Sequence, residues 1–148
     1  MEIVEKVIEP MLIAGIRICG NYRESGRLFS TLGSKVGRHI AGPAFNLYYD
    51  EEYKEEDAGF ESCFPIKRAD EIEGISVREL TGGRCLSCLH HGPYETLSES
   101  YGLIFDHSKS IGMKINYPIR EIYIKGPGMI FRGNPKKYIT EIQFPFED

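Results

Sequence analysis

Two kinds of apolar spacing alternate along this chain and predict a mixed α+β order of elements. Apolar residues recur at helical spacing between Ser25 and Ile40, and again between Leu97 and Ile111, where Gly112 is placed to end the helix. Short runs rich in β-branched and aromatic residues predict strands between them. The predicted strands span residues 11–19, 44–49, 60–66, 75–80, 84–90, 120–125 and 138–145.

The predicted elements repeat in the order strand, helix, strand, strand. Gly20-x-Tyr22 and Gly92-x-Tyr94 occupy the same place after the first strand of each half, and each half ends on Glu-x-x-Phe-Pro, at 61–65 and 141–145. This agreement predicts a duplication within one domain spanning 1–148, with halves of about 1–70 and 71–148. The strand at 75–80 is expected to form a hairpin with the strand at 84–90.

One such unit cannot cover both faces of its own sheet, so the two units are expected to join into a single layer. The predicted fold is an antiparallel sheet with pseudo-twofold symmetry and both helices on one face. The opposite, concave face is then the expected place for a ligand groove.

Composition and charge narrow the function classes. The 148 residues carry a formal net charge of -4, and their basic residues are scattered, which argues against direct nucleic-acid binding. No run approaches the roughly 20 apolar residues of a membrane span. The N-terminal segment is acidic, unlike a signal peptide. We therefore expect a cytoplasmic protein.

The strongest indication of a metal or redox site in the sequence is Cys85-x-x-Cys88, which is followed by His90-His91. Residues three apart on a strand point to opposite faces, so the two thiols are not expected to share a metal. They are expected to be small core residues, and no metal or cofactor is predicted. Phosphate loops and the common hydrolase motifs are also missing from the sequence, which leaves no assigned catalytic residue.

Glu121 is the first candidate for a ligand contact. Alternation along the strand puts Ile122 and Ile124 on one face and Glu121 and Tyr123 on the other. If the isoleucine face meets the helices, Glu121 points into the concave side, where a carboxylate suits a cationic ligand. The alternative is an exposed strand glutamate near Arg120 or Lys125.

The sequence also resembles the GyrI-like small-molecule-binding family, whose fold is shared by effector-binding domains of AraC-type and MerR-type multidrug-responsive transcription activators. The resemblance rests on segments 42–50, 91–97, 120–123 and 138–145, in that order. It implies a groove between the two units that accepts bulky, often cationic aromatic compounds. It also implies that Glu121 lies at the base of this pocket and that Tyr138 contacts the ligand.

These observations predict a stand-alone binding protein for apolar, cationic aromatic molecules, since the first strand leaves no room for a helix-turn-helix ahead of it. Sequestration of a drug or toxin and effector sensing are both compatible with it. The expected pocket walls beside Glu121 are Phe45, Tyr48, Tyr123 and Tyr138. One alternative is a hydrolase of reactive small molecules with Glu121 as general base. Another is an inhibitor of DNA gyrase type, acting on a topoisomerase or a regulator as protein partner.

Overall fold

The computed structural model describes residues 2–51, 57–68, 70–127 and 133–147. These residues form eight strands and two α-helices, and a short 3₁₀ turn leads into each helix, at Tyr22–Glu24 and Tyr94–Thr96. The strands are β1 (Ile3–Ile8), β2 (Met11–Gly20), β3 (Phe45–Tyr48), β4 (Ala58–Pro65), β5 (Ser76–Leu80), β6 (Gly83–His91), β7 (Ile119–Lys125) and β8 (Ile139–Pro145). The helices are α1 (Ser25–Val36) and α2 (Leu97–Ser110).

The strands form one antiparallel sheet in the order β1-β6-β8-β7-β3-β4-β2-β5. Each strand of one half corresponds to a strand of the other half: β1 to β5, β2 to β6, β3 to β7 and β4 to β8. When corresponding strands are exchanged, the order reads the same from either end. The pseudo-twofold axis therefore passes between β3 and β7, where Asn46 lies opposite Glu121. The predicted α+β class, duplication and pseudo-twofold symmetry are confirmed.

The predicted hairpin between the fifth and sixth strands is wrong. β5 pairs with β2, and β6 pairs with β1 and β8. The first strand of each half therefore pairs with a strand of the other half. The chain crosses over at Gly82, where a Cβ would lie 2.1 Å from the carbonyl oxygen of Ile8. β1 has no counterpart among the predicted strands, because it is an edge strand whose four central residues are exposed and include the charged Glu5 and Lys6.

Both helices pack on the same face of the sheet, as predicted. The buried residues Leu32 and Val36 of α1 pack against Ala14 and Ile66. On the other half, Ile104 of α2 packs in a cluster of apolar side chains that includes Leu86, Cys88, Ile142 and Phe144. α1 ends at Val36, earlier than predicted, because the chain continues as a 3₁₀ turn from Gly37. Gly112, with φ of +66°, follows the end of α2.

The face turned away from the helices, called here the curled face, encloses a core of its own. Ile13, Phe45, Leu47 and Cys63 are buried there in one cluster. Apolar side chains are thus buried on both faces of the central strands.

The two glutamates of the repeated Glu-x-x-Phe-Pro segments are buried on the curled face in ion pairs. Both carboxylate oxygens of Glu61 accept hydrogen bonds from Arg78, at 2.7 and 2.8 Å. Glu141 lies 2.5 Å from the ammonium of Lys6. A Cβ on Gly15 would lie 2.2 Å from Glu61 Oε2, so glycine at this position makes room for the buried carboxylate.

The two cysteines of the CxxC segment lie on opposite faces. Cys88 packs in the α2 cluster, whereas Cys85 lies near Glu141 and Arg120. Burial raises the pKa of each thiol to about 11, which keeps both protonated and unreactive. They are core residues, as predicted. Within the described ranges, no helix has the length and apolar character needed to cross a membrane.

Candidate ligand-binding site

Glu121 and Tyr123 lie on the face of β7 that bears the helices. The phenol of Tyr101, on α2, donates a hydrogen bond to Glu121, and the ring of Phe29, on α1, lies 5.9 Å from that of Tyr123. Ile122 packs on the curled face instead. The alternation along the strand is as predicted, but the expectation that the isoleucine face meets the helices is wrong. Since the curled face has its own apolar core, Ile122 is partly buried there against that cluster rather than against a helix.

The Glu121 carboxylate is enclosed by tyrosine hydroxyls. Besides Tyr101, Tyr123 donates to it at 2.7 Å and Tyr48 at 3.4 Å. Only 6% of the Glu121 surface is exposed. Among the residues that the structure describes, no lysine or arginine forms an ion pair with it. Glu121 therefore differs from the buried Glu61 and Glu141, each of which has a cationic partner.

The environment disfavours the charged form of Glu121. Burial raises the pKa of this carboxyl above its ordinary value, and the three tyrosine hydrogen bonds offset that effect only in part. Burial and the nearby charge of Glu121 raise the pKa of Tyr48, Tyr101 and Tyr123 well above the ordinary value. The phenols thus stay protonated and act as donors.

Asn46 holds the tyrosine hydroxyls in place. Its side-chain nitrogen lies 3.0 Å from the hydroxyls of both Tyr48 and Tyr123, and its oxygen accepts a hydrogen bond from Ser62 at 2.7 Å. Asn46 lies directly opposite Glu121 on the two strands that flank the pseudo-twofold axis. The site therefore draws side chains from both halves of the repeat, and β7 supplies its carboxylate.

Further tyrosines extend the site outward. The ring of Tyr94 lies 5.7 Å from that of Tyr123 and 5.2 Å from that of Tyr138. Tyr138 is only 3% exposed, whereas Tyr94 is 37% exposed and forms the outer edge of the aromatic group. Ring contacts thus connect Tyr138 to Tyr123 through Tyr94.

Phe45 is not brought together with the other predicted wall residues. It is buried in the cluster of the curled face, opposite Ile122, so the sheet separates it from Glu121. Its neighbour Asn46 has the orientation that was expected of Phe45. Of the two β3 residues expected as walls, Tyr48 lies on the same face as Glu121 and Phe45 lies on the opposite face.

Sequence reasoning also missed four residues of the site, namely Phe29, Asn46, Tyr94 and Tyr101. A signal for two of them was present, because Phe29 and Tyr101 occupy matching helical positions in the two repeats. Their relevance becomes visible only when the face of β7 that meets the helices is known.

Tyr101→Phe is expected to destabilise the ligand-free protein by about 1.5–3 kcal/mol at neutral pH, since it removes a hydrogen bond to a buried carboxylate. Phenylalanine fits sterically, because the equivalent position in α1 is Phe29. Chemical denaturation of the single variants and of Tyr101→Phe combined with Glu121→Gln measures the coupling between the two side chains. An equal loss in both backgrounds would show that the hydroxyl acts independently of the Glu121 charge.

Several solved structures share this fold. The EcmrR C-terminal domain has a TM-score of 0.86 and 25% identity, and the alignment covers 99% of this chain and 98% of that chain. EcmrR in its complex with DNA gives a TM-score of 0.88 at 24% identity, with 99% of this chain and 57% of that chain aligned, so this chain spans little more than half of that regulator.

More distant neighbours have the same fold. A hydrolase from Listeria innocua has a TM-score of 0.71 at 14% identity over 99% of this chain and 92% of that chain. SAV2435 bound to tetraphenylphosphonium has a TM-score of 0.64 at 15% identity over 99% of this chain and 94% of that chain. No curated protein sequence matches this chain significantly. Residues 1–147 match the family model described as the GyrI-like small molecule binding domain. The chain belongs to the GyrI-like small molecule binding domain family.

Proposed function

We propose that this chain binds apolar, cationic aromatic molecules between α1 and α2, with Glu121 as the anionic anchor. The observation that carries this proposal is a buried carboxylate whose partners, among the described residues, are tyrosine hydroxyls rather than a cation. An ionised carboxylate removed from water is unfavourable unless it is paired. A bound cation supplies the missing charge, which is the arrangement that Glu61 and Glu141 already have within the protein.

The aromatic side chains around Glu121 support the same class of ligand. Faces of tyrosine and phenylalanine rings attract cations and stack on aromatic ligands. Phe29, Tyr94 and Tyr123 form a connected group of rings beside the carboxylate. Such a surface favours a bulky organic cation over a small, strongly hydrated ion.

The structural neighbours are consistent with this proposal. SAV2435 binds tetraphenylphosphonium, a delocalised aromatic cation, on a scaffold of the same fold. EcmrR carries the related domain at its C-terminal end within a DNA-binding regulator. Effector sensing and sequestration of a toxic compound both follow from reversible binding by such a domain.

Ligand entry requires the tyrosines to move. Since only 6% of Glu121 is exposed, a bulky cation reaches the carboxylate only after Tyr101 or its neighbours turn away. The Tyr101 hydroxyl then exchanges its bond to Glu121 for water. The ligand-free form is thus a closed state in which phenols substitute for the cation.

A thermal-shift titration with a matched pair of compounds tests the charge requirement. Tetraphenylphosphonium is expected to raise the unfolding midpoint progressively with concentration, by roughly 3–6 °C at about tenfold excess over its Kd. Triphenylphosphine oxide has similar aromatic groups and no net charge, so it should give a much smaller shift. Equal shifts from both compounds would show that aromatic contact alone accounts for binding.

Hydrolysis is the second candidate function. It is supported by the Listeria innocua neighbour described as a hydrolase and by the raised pKa of Glu121, which suits a carboxyl that exchanges protons beside tyrosine hydroxyls. Mass spectrometry of a stabilising ligand recovered after incubation separates the two functions. Unchanged ligand indicates a binding domain, whereas product formed by the wild type and not by Glu121→Gln indicates a hydrolase.

A further inference from the structure

Arg120, the residue before Glu121, is a buried cation on the curled face. It is 6% exposed, and its Nη2 donates a hydrogen bond to the carbonyl oxygen of Thr81 at 2.7 Å. Its Nε and Nη1 are buried and have no hydrogen-bond partner among the described residues. Two other cations on this face, Arg78 and Lys6, are paired with glutamates.

Arg120 lines a cavity of about 270 Å³. The connection between β5 and β6 forms one side, and residues 116–118, before β7, form another. Ile8, Leu80 and Phe146 provide apolar walls. Arg84 also lines the cavity, where its guanidinium pairs with Glu5 and lies 4.8 Å from the ring of Phe146.

We propose that this cavity is a second binding site, which takes a small organic anion through its carboxylate or phosphate group. A guanidinium carries five N–H donors arranged to match such oxyanions, and Arg120 uses one donor atom within the protein. An unpaired buried cation is unfavourable, so an anion that enters here contributes both charge and acceptors. The apolar walls and the volume leave room for an organic group beyond the anionic head.

This site is separate from the one proposed around Glu121. Residues 120 and 121 are neighbours on β7 and point to opposite faces of the sheet, so the two ligands do not compete for space. The charged groups also differ: the first site has the Glu121 carboxylate, whereas the cavity is lined by the guanidinium groups of Arg120 and Arg84, with Glu147 also in its lining. Binding of an anion in this cavity therefore does not depend on a cation site at Glu121.

Thermal-shift titrations with benzoate, phenyl phosphate and inorganic phosphate test the second site. At least one organic anion is expected to raise the midpoint of the wild type saturably, and the same titration should have no effect on Arg120→Met. Arg38→Met is the matched control, because it removes an arginine that is exposed on the surface, and it should respond like the wild type. Glu121→Gln should also retain the response to anions.

Amide chemical shifts of the wild type provide a test that does not depend on the folding of any variant. Binding of the same anion should shift the amide signals of Thr81, Gly82, Gly83 and Asn116, which line the cavity, more than those around Glu121. Absence of a saturable response to all three anions would overturn the proposal. So would an equal response from folded Arg120→Met, or shifts confined to other surfaces.

Discussion

Replacing Glu121 with glutamine is expected to weaken binding of tetraphenylphosphonium by roughly 30- to 1000-fold, the usual cost of about 2–4 kcal/mol for removing one charge of a desolvated pair. Glutamine keeps the shape of the side chain and a carbonyl that accepts hydrogen bonds from the tyrosines. The loss thus reports on charge rather than on packing. Isothermal titration calorimetry of the wild type and the variant measures it.

Glu79→Gln is the matched control for this substitution. Glu79 is an exposed residue of β5, so its replacement changes the net charge of the protein by the same amount without touching the site. Its affinity for the cation should equal that of the wild type. Equal weakening in the two variants would attribute the effect to overall charge, and an unchanged affinity of Glu121→Gln would contradict the anchor role.

The same Glu121→Gln substitution is expected to stabilise the ligand-free protein by about 0.5–2 kcal/mol. Replacement of a functional residue often stabilises a protein when that residue is buried in an unfavourable environment. The sign follows from the raised pKa of Glu121. When the pKa of a carboxyl group is higher in the folded than in the unfolded state, the protein loses stability as the pH rises from the unfolded pKa through the folded pKa. The advantage of the variant should therefore grow as the pH rises above the ordinary carboxyl range, and it should disappear below about pH 4, where the carboxyl is protonated in both states. Denaturation across this pH range measures it.

Arg78→Met is expected to destabilise the fold by about 2–4 kcal/mol. Breaking a buried ion pair costs roughly 3–5 kcal/mol, and the partial exposure of Arg78 lowers that figure. The substitution leaves Glu61, whose side chain is 1% exposed, without its cation. Replacing Glu61 as well, in the double variant Glu61→Gln/Arg78→Met, should restore part of the stability. No recovery in the double variant would show that Arg78 acts through packing of its aliphatic part.

The effect of Arg78→Met should depend on pH. In the wild type, burial tends to raise the pKa of Glu61, but hydrogen bonds from Arg78 and Tyr49 and the charge of Arg78 outweigh it and hold the pKa below the ordinary value. This group therefore contributes stability above its unfolded pKa and loses it as the pH falls through the lowered folded value. Without Arg78 the burial effect remains, so protonation at acid pH relieves the variant. Its deficit should be greatest at neutral pH and shrink towards pH 4.

Most of the duplicated fold could be predicted from the sequence, because the patterns that indicate it are local. Helical spacing identified α1 and α2, and the paired Gly-x-Tyr and Glu-x-x-Phe-Pro segments identified the duplication. The exchange of β1 and β5 between the halves was not predictable, because strand pairing over long separations leaves no local pattern. β1 itself was missed because an exposed edge strand lacks regular apolar alternation.

Sequence alternation could predict which residues of β7 share a face, but not which of its two faces meets the helices. Alternation correctly separated Glu121 from Ile122, but either face of β7 was a reasonable place for the helices, since each buries apolar residues. That ambiguity also put Phe45 in the wall in place of Asn46, and it hid the contact with Tyr101. Arg120 was considered only as a partner for Glu121, although the two point away from each other.

A crystal structure of the complex with tetraphenylphosphonium would show where the cation binds and whether Glu121 contacts it. The phosphonium is expected to lie between α1 and α2, next to the Glu121 carboxylate, with the Tyr101 hydroxyl displaced and aromatic contacts to Phe29, Tyr94 or Tyr123. A ligand bound on the curled face near Phe45, or one that leaves the bond between Tyr101 and Glu121 intact, would contradict this expectation.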